Sequence, residues 1–470
     1  MLILPDEYKK KIPVVLTSSY YQEWVNYYRK ILIKSRQEKY NTDPLNLIAI
    51  QIGLMRSIRG IEGKIFEAKK GLRKARQEGD TKDAEDFERG ITLNRAVVRI
   101  AKIIADGIAW RTLGYDRPFL RALAEPKKPS GSVQFGTEYQ TTEDTAVQMA
   151  YERKSKVLLT DITYFLRVGD LIEVTDPRTL IYEIKTKYNP NGSVKNVELI
   201  TIDRIIKTNK KSLNKQEEKL FQANYLRELR KIPLPNSQAE IYIFDVPIKY
   251  KTNLRSIEEL INLAKKDVFA TRTFGNYLTV SCTDIQLFHK KHRKDASEAM
   301  EQYKENNPWD KSDIVLPMSN LDIFYEEDGD FVRNSTPYSV FPFSSINCMR
   351  IMSGDLWLTS RLNITEIMRL FRAHGWTVTE IDWLKGYKSG QRGSVYYDDL
   401  ESTIGKHDIF SISGKNFQTN ISLAWLHWIS SNFMRPETLI EMVEYISTHP
   451  PRTRPQYIES YILGEKNVWK

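Results

Sequence analysis

The stretch VLLTDITYFLRVGDLIEVTDPRTLIYEIKTK, residues 157–187, constrains the chain more than any other. Val157 to Leu166 alternates apolar and polar positions, Leu171 to Val174 continues after Gly169, and Leu180 to Lys185 alternates again. A period of two marks a half-buried strand, so the spacing predicts three short β-strands. Asp176-Pro177 supplies the turn between the second and third, because Pro fixes φ and Asp bonds its own backbone. Residues i and i+2 of a strand share a face, so Glu183 and Lys185 emerge together while Ile184 faces a core. A hairpin turning at Asp176-Pro177 brings Asp170 back towards Glu183. Two carboxylates held together repel unless a cation joins them, and an all-oxygen ligand set suits Mg²⁺ or Mn²⁺.

This arrangement resembles the PD-(D/E)xK, or restriction-endonuclease-like, nuclease superfamily. The family pattern is an acid opening the second strand of a small mixed sheet, then (D/E)-x-K on the third. The matching residues are Asp170, Glu183 and Lys185, and the resemblance spans about residues 150–230. It implies that Asp170 and Glu183 hold a divalent metal and that Lys185 orients or activates the attacking water. The chemistry is coherent: such a metal neutralises charge on a scissile phosphate and lowers the pKa of bound water. A neighbouring ammonium adds stabilisation where negative charge develops. The Pro-Asp of the family name is replaced here by Val168-Gly169-Asp170. Members often continue with a strand and then a helix bearing Gln or Lys towards the site. Val197–Ile202 and a helix over 214–229, with Gln216 beside Lys215 and Lys219, fit that sequel. Asp161 on the first strand is a rival acid. Asp106, Glu62 or Glu67, from the preceding helices, are candidates to complete the metal site, although Asp106 could equally pair with Arg111 or Arg117. The structural alternative for Glu183 and Lys185 is an ion pair on a solvated strand face.

Upstream, Asn41-Thr42-Asp43-Pro44 is a helix start, with Asp43 as N-cap and Pro44 at the first helical position. A long helix is predicted from Leu45 to Gln77, broken at Gly79-Asp80, and a second from Lys82 to Leu113, the two forming an antiparallel hairpin. The second turns Phe87, Ile91, Val98, Ala101 and Ile104 inward. Lys69, Lys70, Arg73 and Lys74 make the end of the first helix basic, suiting a nucleic-acid backbone or, equally, a solvated scaffold face. Tyr20, Tyr21, Trp24, Tyr27 and Tyr28 stand at helical spacing and read as core. The net charge of +10 is uneven: residues 1–237 carry 43 Lys and Arg against 30 Asp and Glu, leaving 27 against 30 for the rest. A basic first half favours contact with a polyanion.

A chain of 470 residues exceeds one ordinary core. The expected division is a helical region over 1–125 with the basic hairpin, a nuclease-like core over 126–235, and an α+β C-terminal domain over 236–470. The class is therefore α+β, with a small mixed sheet in the core. Two cysteines, Cys282 and Cys348, are too few for a disulfide framework and read as buried thiols in a reducing compartment. No apolar run is long enough for a signal or a membrane span, so a cytoplasmic protein is expected. P-loop, H-E-x-x-H and G-x-S-x-G patterns do not occur, which sets aside those chemistries. The functional expectation is a Mg²⁺-dependent (or Mn²⁺-dependent) endonuclease acting on DNA, with defence against foreign DNA as a setting by fold analogy. The alternatives are a non-catalytic nucleic-acid-binding protein, or a scaffold subunit that assembles with itself or a partner protein through the C-terminal domain.

Overall fold

Asp43, Gly79 and Asp80 punctuate the first third of the chain as their chemistry dictates. Helix α1 (Ser19–Ser35) is capped by Ser18, and α2 (Pro44–Glu78) by Asp43, whose side chain accepts from the Leu45 amide at 3.1 Å. Gly79 takes the left-handed φ of 74° that ends α2, and Asp80 caps α3 (Thr81–Thr112). The structure is a computed structural model that describes residues 15, 18–115, 120, 123, 138–166, 169–175, 179–188, 194–201, 231–233, 240–291, 313, 315–319, 336–380, 408–414, 417–449 and 457–462.

The α2–α3 hairpin is two-sided in character. Up to Ile61, α2 is seamed with buried residues, but beyond it only Ala75 is buried, and α3 has no buried residue before Ile91. The distal hairpin therefore projects from the body. It is closely packed within itself, since a Cβ at Gly71 would come within 2.4 Å of the Phe87 ring, and Arg76 pairs with Glu88 at 2.5 Å.

Helix α4 (Glu138–Glu152) leads into a four-stranded sheet, β1 (Lys156–Leu159), β2 (Leu171–Val174), β3 (Thr179–Tyr188) and β4 (Val194–Thr201), in that spatial order. Every pairing in it is antiparallel, where a mixed sheet was expected, because β4 returns beside β3 as a hairpin partner. The first strand is also shorter than its alternation suggests. Thr160 ends it by bonding across to Gly169 and Asp170, and Asp161 lies exposed beyond the end of β1 rather than on a strand. The outer edge of β1 is closed by a side chain of α2. Gln51, buried, donates Nε2–H to Val157 O at 2.8 Å and accepts the Leu159 amide on Oε1 at 2.9 Å. One amide thus replaces the missing neighbouring strand.

The remainder completes an α+β fold. Strands β5 (Lys231–Pro233) and β6 (Glu240–Val246) share a sheet with β14 (Tyr457–Ile462), in which β6 and β14 form a parallel pair. After α5 (Leu254–Asp267) come β7 (Phe269–Phe274), β8 (Leu278–Asp284), α6 (Ile285–Lys291) and β9 (Val315–Ser319). Next are α7 (Ser345–Met352), β10 (Leu356–Asn363), α8 (Ile364–Ala373) and β11 (Thr377–Glu380). The sheet order is β7-β8-β10-β9, antiparallel throughout. Strands β12 (Asp408–Gly414) and β13 (Phe417–Ser422) extend β11, followed by α9 (Leu423–Ser431) and α10 (Pro436–Thr448). The acidic segment 324–332 lies outside the described residues.

One contiguous set of buried apolar residues runs from Val15 to Ile446, crossing the expected boundaries at 125 and 235. Polar contacts fasten the first and last thirds: Arg36 donates to Phe341 O at 2.8 Å and Phe343 O at 2.7 Å, and Tyr21 OH to Ser353 O at 2.9 Å. Ser339 Oγ reaches Ile103 O at 2.7 Å where Gly107 leaves room for it; a Cβ there would be 2.1 Å from that oxygen. Among the described residues, no helix is long and apolar enough to cross a membrane.

Two consequences are testable. Gln51→Leu strands two buried backbone groups, each costing about 1–3 kcal/mol, so chemical denaturation should show a loss of roughly 2–4 kcal/mol; an unchanged midpoint would mean the β1 edge does not depend on this amide. Burial raises the Cys282 thiol to about 12 and the Cys348 thiol to about 11. Since only thiolate reacts, neither cysteine should be alkylated at pH 8 in the native protein, and both should be alkylated in denaturant, as mass spectrometry would show.

Candidate metal and catalytic site at the β2–β3 hairpin

The antiparallel register from Leu171↔Tyr182 to Val174↔Thr179 makes β2 and β3 a hairpin, with its turn at Asp176-Pro177 outside the described residues. Asp170 stands at the open end of that ladder. Its amide donates to Tyr182 O at 2.8 Å, and its Oδ2 accepts the Ile184 amide at 2.6 Å. These two bonds straddle Glu183, so the carboxylate of Asp170 is held beside the Glu183 position. Glu183 is half-buried, and Ile184 packs against the core, as the strand period requires. Lys185 lies two positions further along the same strand, its backbone opposite Glu198.

Backbone geometry forces this placement. Gly169 has φ +65°, and a Cβ there would lie 2.7 Å from Tyr182 O and 2.5 Å from Ile181 Cγ2. Only glycine satisfies both the angle and the close approach. On the opposite face of β3, Tyr182 OH donates to Glu173 Oε2 at 2.5 Å and accepts from Arg153 at 3.0 Å, while Ser155 holds Oε1 at 2.5 Å. Burial first, then the bond to Glu173, pushes the Tyr182 phenol up to about 12. This network pins the end of α4 onto the sheet.

The other acids considered are not gathered at the hairpin. Asp106, fully buried on α3, accepts the Tyr164 amide at 2.8 Å, and Glu62 lies 3.8 Å from the buried Lys102. Glu67 and Asp161 are exposed. Among the described residues, no group of three or more His, Cys, Asp or Glu is assembled. The pair Asp170–Glu183 nevertheless fits Mg²⁺ by donor chemistry, because that ion keeps much of its water and is typically held by one or two carboxylates together with substrate phosphate. Gln216 and Lys215 lie outside the described residues.

Lys69, Lys70, Arg73 and Lys74 are exposed on the projecting hairpin. Residues 61–90 carry eight basic and eight acidic side chains, so the hairpin has no net charge with which to attract a polyanion from a distance. Gln51, Thr160 and the tie between Ser339 and α3 were not foreseen from the sequence; of these, only Thr160, a hydroxyl placed where an alternating run meets a Gly-containing return, carries a local signal. No family model, curated protein or solved structure matches the chain.

Gly169→Ala should destabilise the fold by about 2–4 kcal/mol, combining left-handed backbone strain with the clash against Tyr182 O. Thermal and denaturant unfolding measure this. A fully stable variant would show that the hairpin mouth is not held as described.

Proposed function

We propose that the chain is a Mg²⁺- or Mn²⁺-dependent nuclease that hydrolyses phosphodiester bonds, with DNA as its substrate. The observation that supports this reading is the Asp170 carboxylate, fastened to the β3 backbone beside Glu183 in an E-x-K strand. Asp170 and Glu183 would hold the metal, which when bound neutralises charge on the scissile phosphate and provides a water of lowered pKa. The Ile184 amide orients the Asp170 carboxylate. Lys185 contributes positive charge on the same strand, where negative charge develops on the phosphate. Buried reduced thiols suit a reducing compartment, and degradation of foreign DNA in the cytoplasm is the setting we favour.

Incubation with supercoiled plasmid and with single strands, in Mg²⁺, Mn²⁺ or EDTA, tests the proposal. Wild type should cut only with metal. Glu183→Gln and Lys185→Ala should each lower the rate by roughly 10²-fold or more, the scale of losing an electrostatic catalytic group, while unfolding near the wild-type temperature. Full cleavage by both variants would sink the assignment. Salt-sensitive binding without cleavage, indifferent to EDTA and to Glu183→Gln, would instead identify a non-catalytic nucleic-acid-binding protein.

A further inference from the structure

We infer that Thr160 and Asp106 are positioning residues that set the direction of the Asp170 carboxylate through the turn that follows β1; this deepens, and rests on, the nuclease reading.

Asp170 is held at its amide, its carboxylate and its carbonyl. Its amide is engaged by Tyr182 O, its carboxylate by the Ile184 amide, and its carbonyl by Thr160, whose amide donates to Asp170 O at 3.2 Å. The Thr160 hydroxyl donates to Gly169 O at 2.6 Å, with Asp170 O also in reach at 3.1 Å. One residue thus grips the carbonyls of the two successive peptides that flank the Asp170 Cα.

Thr160 is itself held from below. The Thr163 amide and hydroxyl both donate to Thr160 O, at 3.0 and 2.8 Å, and the Leu166 amide donates to Thr163 Oγ1 at 3.1 Å, closing a tight turn. The next residue, Tyr164, is anchored to α3 at two points. Its amide donates to Asp106 Oδ1 at 2.8 Å, and Lys102, one helical turn before Asp106, places Nζ 5.8 Å from the centre of its ring. Lys102 is balanced by Glu62 at 3.8 Å. A rigid, buried helix therefore reaches the site acid through a short run of hydrogen bonds. Such outer partners hold ligating groups in direction, and their loss typically weakens metal affinity roughly 10–100-fold.

The test is calorimetric titration of the full chain with Mn²⁺, alongside cleavage as a function of Mn²⁺ concentration, well below the unfolding temperature. Thr160→Val, which keeps shape and removes the hydroxyl, should weaken Mn²⁺ binding about tenfold or more and shift the cleavage curve by the same factor; Thr160→Ser should restore both. Asp106→Asn keeps an oxygen acceptor for the Tyr164 amide and should bind Mn²⁺ as wild type does, whereas Asp106→Ala should bind it more weakly. Folded Thr160→Val or Asp106→Ala with wild-type Mn²⁺ affinity would overturn the inference while leaving the nuclease reading intact. If Thr160→Val does not fold, the Asp106 pair decides alone. Absence of both Mn²⁺ binding and cleavage in wild type is a different result: it removes the nuclease reading and this inference with it.

Discussion

The second half of α3 is buried nearly all round, from Val97 to Trp110, and most of the architecture answers to that constraint. A helix without a solvent face must find a protein partner for every polar side chain it carries, because an unpaired buried charge costs several kcal/mol. Asn94 accepts from Tyr20 OH at 2.7 Å, Lys102 pairs with Glu62, and Asp106 takes the Tyr164 amide. Arg111 donates to Ser339 O and Ser35 Oγ, each at 3.2 Å, and burial lowers its guanidinium to about 10. These partners come from α1, α2, the loop beside the hairpin site and the segment before α7. Three buried polar side chains and the half-buried Arg111 on one helix thus bring together regions more than 200 residues apart.

That constraint also separates what the sequence made legible from what it hid. Caps and breakers are local chemistry, so Asp43, Pro44, Gly79 and Asp80 were readable, as were the span of β2 and the hairpin pairing of Asp170 with Glu183. For α3, the stripe of Ile91, Val98, Ala101 and Ile104 is real, but it describes one face of a helix buried on several. The covering segment, around Ser339, lies some 230 residues away, and no periodicity reports it.

One misreading in the site region has a local physical cause: a side-chain bond outcompeted a pattern. Alternation from Val157 to Leu166 argued for one long strand, yet the Thr160 hydroxyl bonds the returning chain and ends the ladder at Leu159. The expected mixed sheet came from the family resemblance, whereas β4 pairs with β3 as its antiparallel neighbour. The exposed edge that remains, at β1, is closed by Gln51 from a helix a hundred residues earlier, a contact that hydropathy cannot announce.

An ion pair between Glu183 and Lys185 would explain one charge on a strand face, but it gives no reason for Asp170. Seating that second carboxylate beside Glu183 adds like-charge repulsion. It also requires a glycine at φ +65° pressed against Tyr182 O, which sacrifices backbone entropy without adding buried apolar area. The Ile184 amide offsets part of this, since hydrogen bonds to charged groups contribute about 1.5–3 kcal/mol. Thr160, Tyr182 and Ile184 together over-determine position 170, so the direction of its carboxylate is set by the backbone around it.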